Sequence, residues 1–381
     1  MGAAAAFLCK LTKITILKEH NMAKKLRYGL VGCGGIANGK HLPAIKNLQD
    51  VEIAAFCDIV PERAKKANLE YSGGKGKIFT DYRELLKEDL DAVFVLTPNI
   101  SHSEISIAAL KSGKNVLCEK PMAKNYKEAQ AMIAARDESK KLLTIGYQGR
   151  YRADSLYLKQ ECQTGALGEI YFAKATAIRR RAVPTWGVFL DEEKQGGGPL
   201  IDIGTHALDL TLFMMDNYEP AYAVGTTYHK LNKDKNAGNA WGDWDPKKFT
   251  VEDSAFGFIV MKNGATIILQ SSWALNTTEV REAVTTLCGT KGGADMPEAG
   301  CLVMNGVKNG RQYTLTPNVK AGGVAFYDGV SAKPEDLEAQ TFASAIRGKG
   351  KLYVLPEQAA VVTQILEGIY ISAKSGKPHY F

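Results

Sequence analysis

From Leu26 to about Gly149 the chain alternates short, almost unbroken apolar runs with longer stretches of mixed polarity. "LRYGLVG", "VEIAAFCD", "DAVFVLT", "NVLCEKP" and "LLTIGYQ" have strand length, and between them "PERAKKANLE", "SHSEISIAALKSG" and "NYKEAQAMIAARDESK" carry helical spacing. Apolar strands separated by helices predict a parallel sheet covered on both faces, the doubly wound α/β arrangement. Beyond about residue 165 the texture changes to longer alternating segments: "EIYFAKATAI", "AYAVGTTYHKL", "SAFGFIVMKNGATIILQSSW" and "RQYTLTP". These predict a second, open and mostly antiparallel sheet. Within it Asn263-Gly264 predicts a hairpin, because both residues tolerate positive φ. "PEQAAVVTQILEGIYISAKSG" has Pro356 near its start and Gly376 just past its end, the boundary chemistry of a final helix.

At 381 residues the chain exceeds what one core usually organises, so two domains are expected, residues 25–150 and 151–381, with the final helix free to return to the first. Hydrophobic residues make up 45% and charged residues 23%, as in ordinary globular proteins. No apolar run reaches the roughly 20 residues needed to cross a bilayer. The net charge of +7 is modest, and "AIRRRAV", the densest basic cluster, reads as a solvated strand edge rather than a nucleic-acid site. Seven cysteines without a C-x-x-C pair argue against a disulfide framework or a zinc site and for a reducing, cytoplasmic compartment. Cys33, Cys57 and Cys118 fall at strand ends, where they serve as packing residues. Residues 1–24 form an extension: Lys18-Glu19 is encodable by a purine-rich ribosome-binding sequence ahead of Met22, so translation from Met22 is expected, the alternative being a short docking arm.

Candidate chemistry begins with "YGLVGCGGIANGKHLPAI", where Gly32, Gly34 and Ala37 form a G-x-G-x-x-A pattern after a strand and into a helix, with Gly35 and Ile36 inside the turn. The first glycine permits a tight turn, the second lets backbone approach a pyrophosphate, and the small third residue allows close packing. The helix N-terminus then offers free N–H groups to the phosphates. Asp58, ending the next strand, is placed to accept ribose hydroxyls and to repel a 2′-phosphate, favouring NAD over NADP; otherwise it caps the helix at Pro61. Thr97-Pro98-Asn99 with His102, and Glu119-Lys120-Pro121, end later strands, where ligands bind in open α/β sheets.

With "GGGPLIDIGTHALDL", these motifs resemble the Gfo/Idh/MocA oxidoreductases from about Lys25 to the C-terminus. The resemblance implies an N-terminal Rossmann domain, a C-terminal α/β domain with an open, mostly antiparallel sheet, nicotinamide-dependent hydride transfer on a sugar, glycoside or cyclitol, and a homo-oligomer, dimer or tetramer, formed through that sheet. It further implies that Lys120, beside a cis bond to Pro121, meets substrate and nicotinamide, and that Asp202 and His206 line the substrate pocket.

Oxidising a secondary alcohol requires a base for the hydroxyl proton, and histidine titrates nearest neutrality. If the chain is helical from Leu200, Asp202 and His206 at i and i+4 share a face. His206 is then the base, Asp202 the group that orients substrate and raises the basicity of the histidine, and Lys120 the cation for alkoxide character; the reverse assignment, Lys120 as base, satisfies the sequence equally. The glycines at 196–198 would let the chain turn tightly and approach a ligand. Asp209 is placed to support His206. Arg150 and Trp186 are further candidates for substrate contact, and Trp241 and Trp244 for carbohydrate stacking or subunit contacts. No metal is called for. Rival readings are a redox-neutral NAD-dependent lyase or glycosidase working through a transient keto-sugar, and a noncatalytic NAD or sugar sensor.

Overall fold

The computed structural model describes residues 24–234, 238–319 and 333–381. The expectation for the N-terminal extension therefore falls almost wholly outside the described residues. Six strands, β1 (Leu26–Val31), β2 (Val51–Cys57), β3 (Lys77–Phe79), β4 (Ala92–Val95), β5 (Asn115–Cys118) and β6 (Leu143–Ile145), form a parallel sheet in the order β3-β2-β1-β4-β5-β6. The three residues of β3 escape a hydrophobic-pattern reading, because an edge strand this short has no periodicity to display.

A second sheet has nine strands: β7 (Ile170–Ile178), β8 (Pro220–Tyr228), β9 (Ser254–Met261), β10 (Thr266–Ser272), β11 (Arg281–Gly289), β12 (Gly292–Asp295), β13 (Val303–Lys308), β14 (Arg311–Leu315) and β15 (His379–Tyr380). Their order is β14-β13-β12-β11-β7-β10-β9-β8-β15, antiparallel except where β7 meets β10. The β9–β10 hairpin turns at Asn263-Gly264 as expected. Only Gly264 takes a positive φ (+88°), while the Asn263 side chain accepts the Ala265 N–H instead.

One apolar core runs from the Rossmann sheet (Val31, Val95, Ile145) through the helix Thr205–Met215 to the second sheet and the final helix (Ala173, Leu269, Ile369). A smaller core lies on the other Rossmann face, where Tyr28 and Phe94 meet Phe342 from the helix Pro334–Ile346. The chain thus crosses back after the second sheet, and the final helix, Pro356–Ser375, ends at Gly376 with φ +68°. Among the described residues no helix is long and apolar enough to cross a membrane.

Candidate active site

The strand order reverses between β1 and β4, which opens a crevice at their carboxyl ends. Gly32 turns there with φ +95°, and a Cβ on it would stand 2.4 Å from the Leu96 carbonyl oxygen, so no larger residue fits. Next to it Gly34 and Gly35 face open space, and Ile36 leads into the turn Ala37–His41, with Ala37 fully buried against the sheet. Asp58 accepts the Cys33 N–H and the Val60 N–H, each at 2.8 Å, tying the glycine turn to β2 and capping the approach to the helix Pro61–Ser72. Both oxygens retain lone pairs for a ribose. At the end of β4 the Thr97 hydroxyl is buried without a protein partner. An open glycine cradle, an orphaned hydroxyl and a carboxylate closing β2 together fit an adenine dinucleotide.

Lys120 leaves β5 through a cis bond to Pro121. Its Nζ donates to Asp202 Oδ1 at 2.9 Å and to the Asp202 carbonyl at 3.0 Å. The other Asp202 oxygen accepts the indole N–H of Trp273 at 3.0 Å, from the exit of β10. Burial alone would raise the Asp202 carboxyl, but Lys120 and Arg179 hold it below its ordinary value. Asp202 lies in a single wide turn, Leu200–Gly204, that leads into the helix bearing His206; such turns are frequent at functional sites. His206 is partly exposed, meets Tyr147 edge to face and has no hydrogen-bond partner among the described residues. Burial and the neighbouring Lys120 charge push its imidazole down to about 3, against a smaller opposing pull from Asp202. Asp202 thus pulls the basicity of His206 upward, as expected, but its pull is outweighed by burial and by Lys120, and both its oxygens are already engaged by Lys120 and Trp273.

Residues 26–147 match the family model described as an oxidoreductase family with an NAD-binding Rossmann fold, and residues 155–295 match the GFO/IDH/MocA C-terminal domain. A D-glucoside 3-dehydrogenase of Escherichia coli (strain K12) is 32% identical over 94% of this chain and 99% of its own length. The chain belongs to the Gfo/Idh/MocA oxidoreductases. Two solved members share the fold. The aldose-aldose oxidoreductase from Caulobacter crescentus complexed with glycerol has a TM-score of 0.76 and 22% identity, over 94% of this chain and 100% of that one. Levoglucosan dehydrogenase in complex with NADH and levoglucosan has a TM-score of 0.79 and 20% identity, over 93% and 99%. As a Gfo/Idh/MocA protein, this chain is an NAD-binding oxidoreductase.

In this Gfo/Idh/MocA site the partners His41, Lys40, Gln148 and Glu338 were invisible in the sequence, whereas Glu119, Asn99 and His102 were candidates whose contacts it could not show. Glu119 accepts from His41 Nε2 at 2.7 Å and from the Lys120 N–H at 3.0 Å. Burial alone would raise Glu119, but His41 and Lys120 draw it down to about 2. Behind His41 lie Glu338, pushed up to about 7 by burial, and Gln148, which donates to Glu338 at 3.0 Å and accepts from Lys40 at 2.7 Å. His102 is buried between the Pro121 and Thr97 carbonyls at 2.7 and 2.8 Å, clamping two strand ends together. Asn99 donates to the Gln195 carbonyl at 2.9 Å, joining the Rossmann loop, with Pro98, to the glycine segment. His102 and Asn99 thus shape the crevice by holding its walls.

The glycines make the tight turn expected of them, Gly196 with φ +83° and Gly197 with φ +157°, and they are also needed for packing. A Cβ on Gly197 would meet the Tyr370 hydroxyl at 2.1 Å, and one on Gly198 the Glu252 carbonyl oxygen at 2.2 Å, so their close approach is to the protein itself. Glu252 accepts the Gly198 and Leu200 N–H groups and the Tyr370 hydroxyl, capping the segment that carries Asp202. Arg150 is not at the site. It is fully buried, gripped by both Asp209 oxygens at 3.0 and 2.6 Å and by Gln358, and stacked on Phe213, so neither Arg150 nor Asp209 is free for substrate or for His206. Trp244 is buried too, its N–H given to the Asn232 carbonyl, and it packs on Phe249 under Trp273 rather than stacking on sugar. Trp186 and Trp241 remain partly exposed.

Proposed function

We propose that this chain oxidises a ring secondary alcohol of a D-glucoside, at carbon 3, using NAD. The observation that carries this reading is the convergence of one cation, Lys120, and one neutral, unpartnered imidazole, His206, around an Asp202 already fixed by Trp273. Bound NAD supplies the acceptor for the hydride. A hydroxyl seated between Lys120 and His206 meets an ammonium that stabilises negative charge on its oxygen and a lone pair that can take its proton. Because Lys120 is engaged as the cation of an ion pair, His206 is the better base of the two. Asp202 holds the ammonium in place and offers its remaining lone pairs to a neighbouring ring hydroxyl. The choice of a glucoside and of carbon 3 is supported by the name of the E. coli relative, which aligns over nearly the whole of both chains.

The test is nicotinamide absorbance with NAD and methyl β-D-glucoside, D-glucose or myo-inositol, followed by chromatography of the products. A steady rise with the glucoside and a 3-keto product supports the reading. Faster turnover of inositol, or glucose released without net NADH, overturns it.

The same reading extends to assembly. Across β8, β9, β10 and β7 the outward residues Val224, Phe258, Ile268 and Lys174 lie in one register row, with Val224 and Phe258 exposed. An apolar sheet face of this kind suits a second copy of the chain, and a homo-oligomer is proposed.

A further inference from the structure

The segment after β7 is laid along the exit of β10: Arg179 N–H donates to the Ser272 carbonyl at 2.8 Å and Ala182 N–H to the Trp273 carbonyl at 2.9 Å. Trp273 is the residue whose indole holds Asp202. A second loop is pinned onto the first. Ala240 N–H donates to the Arg181 carbonyl at 2.9 Å, Thr185 Oγ1 to the Trp241 carbonyl at 2.7 Å, and the Asn239 amide bonds both backbone groups of Val183. These bonds bring Trp241 against Trp186, ring centres 4.9 Å apart at 79°, with Phe189 5.9 Å beyond. The Arg179 guanidinium lies 5.2 Å over Trp241 and is held by Glu282, and its charge reaches Asp202.

Two indoles left 52% and 43% exposed on loops this firmly tied to the Asp202 support form a fixed apolar surface rather than a floppy one. Resting on the functional reading above, we propose that Trp186, Trp241 and Phe189 form a platform for the glycosidic substituent of the substrate, a neutral sugar or aryl ring attached to the ring that is oxidised. The C–H face of a pyranose and an aryl ring both complement the negative face of an indole. Since Arg179 is already neutralised by Glu282, the platform favours a neutral substituent over a phosphorylated one.

The experiment is calorimetric binding to the protein saturated with NADH, comparing methyl β-D-glucoside, phenyl β-D-glucoside, cellobiose and β-D-glucose 1-phosphate, which separates binding from turnover. The wild type should bind phenyl glucoside and cellobiose about tenfold tighter than methyl glucoside, one ring contact being worth roughly that factor. Trp241→Ala should lose that preference while its affinity for methyl glucoside falls less than threefold, and Trp241→Phe should keep most of it. Unchanged NADH affinity certifies the fold of each variant. Equal affinity for methyl and phenyl glucosides in the wild type, tighter binding of the sugar phosphate, or an equal loss for every ligand in Trp241→Ala overturns the platform. Ring preference without turnover would sink the dehydrogenase reading and leave the platform standing, whereas binding of no glycoside would sink both.

Discussion

At His206 the proposed chemistry rests on one imidazole that burial and the Lys120 charge keep neutral. Its value of about 3 reflects burial first and the Lys120 charge second, so Lys120→Met should let it climb towards the ordinary ~6.5. An NMR titration of the imidazole checks this, and an unmoved value would mean that burial alone is responsible. In the wild type the same depression keeps His206 unprotonated above about pH 5, so protonation of this residue should cause no loss of kcat/KM between pH 5 and 8. His206→Ala should lower kcat by roughly 10²–10⁴ with NADH affinity preserved, as expected for a base that does not hold the cofactor. Lost NADH binding would move His206 to the cofactor pocket.

At the scale of elements, the turn Leu200–Gly204 is held by Glu252, a buried carboxyl reaching from the loop just before β9. Burial pushes Glu252 up to about 7 even with three donors aimed at it. Its folded value lies above the unfolded one, so the stability it contributes is complete below about pH 4.3 and is lost as pH rises through about 7. Glu338, also near 7, adds a slope of the same sign. Chemical denaturation should therefore show these two groups costing stability between pH 5 and 8. Glu252→Gln should flatten the slope, reducing the stability lost between pH 5 and 8 by up to roughly 3 kcal/mol. An unchanged slope would show that Glu252 stays ionised throughout. None of this is legible in "TVEDS", because the partners of Glu252 arrive from residues 198, 200 and 370.

For the whole molecule, the outward face of the nine-stranded sheet sets the expectation of assembly. Phe258→Lys places a charge in the middle of the Val224–Phe258–Ile268 row and should shift the protein to a smaller species in sedimentation, with the fold intact by circular dichroism. A species unchanged in mass would exclude this face as the interface. The shared core, running from Val31 to Ile369, also means that the crevice is framed by elements far apart in sequence.

Hydrophobic periodicity and local turn chemistry were enough to read the parallel sheet, the hairpin at Gly264, the final helix and the glycine turn. Each depends on contacts within a few residues or on a repeat that a short window displays. The motif residues Lys120, Asp202 and His206 were legible for the same reason, as unusual polar groups in apolar surroundings. What they do to one another was not. The clasp of Lys120 and Trp273 on Asp202, the depression of His206 by Lys120, the His41–Glu119 pair and the burial of Arg150 on Asp209 all join residues many tens of positions apart. Charge partners and desolvation are properties of three-dimensional neighbours, so only the tertiary structure could show which candidate keeps an unpartnered side chain, which is tied into an ion pair and which is simply core.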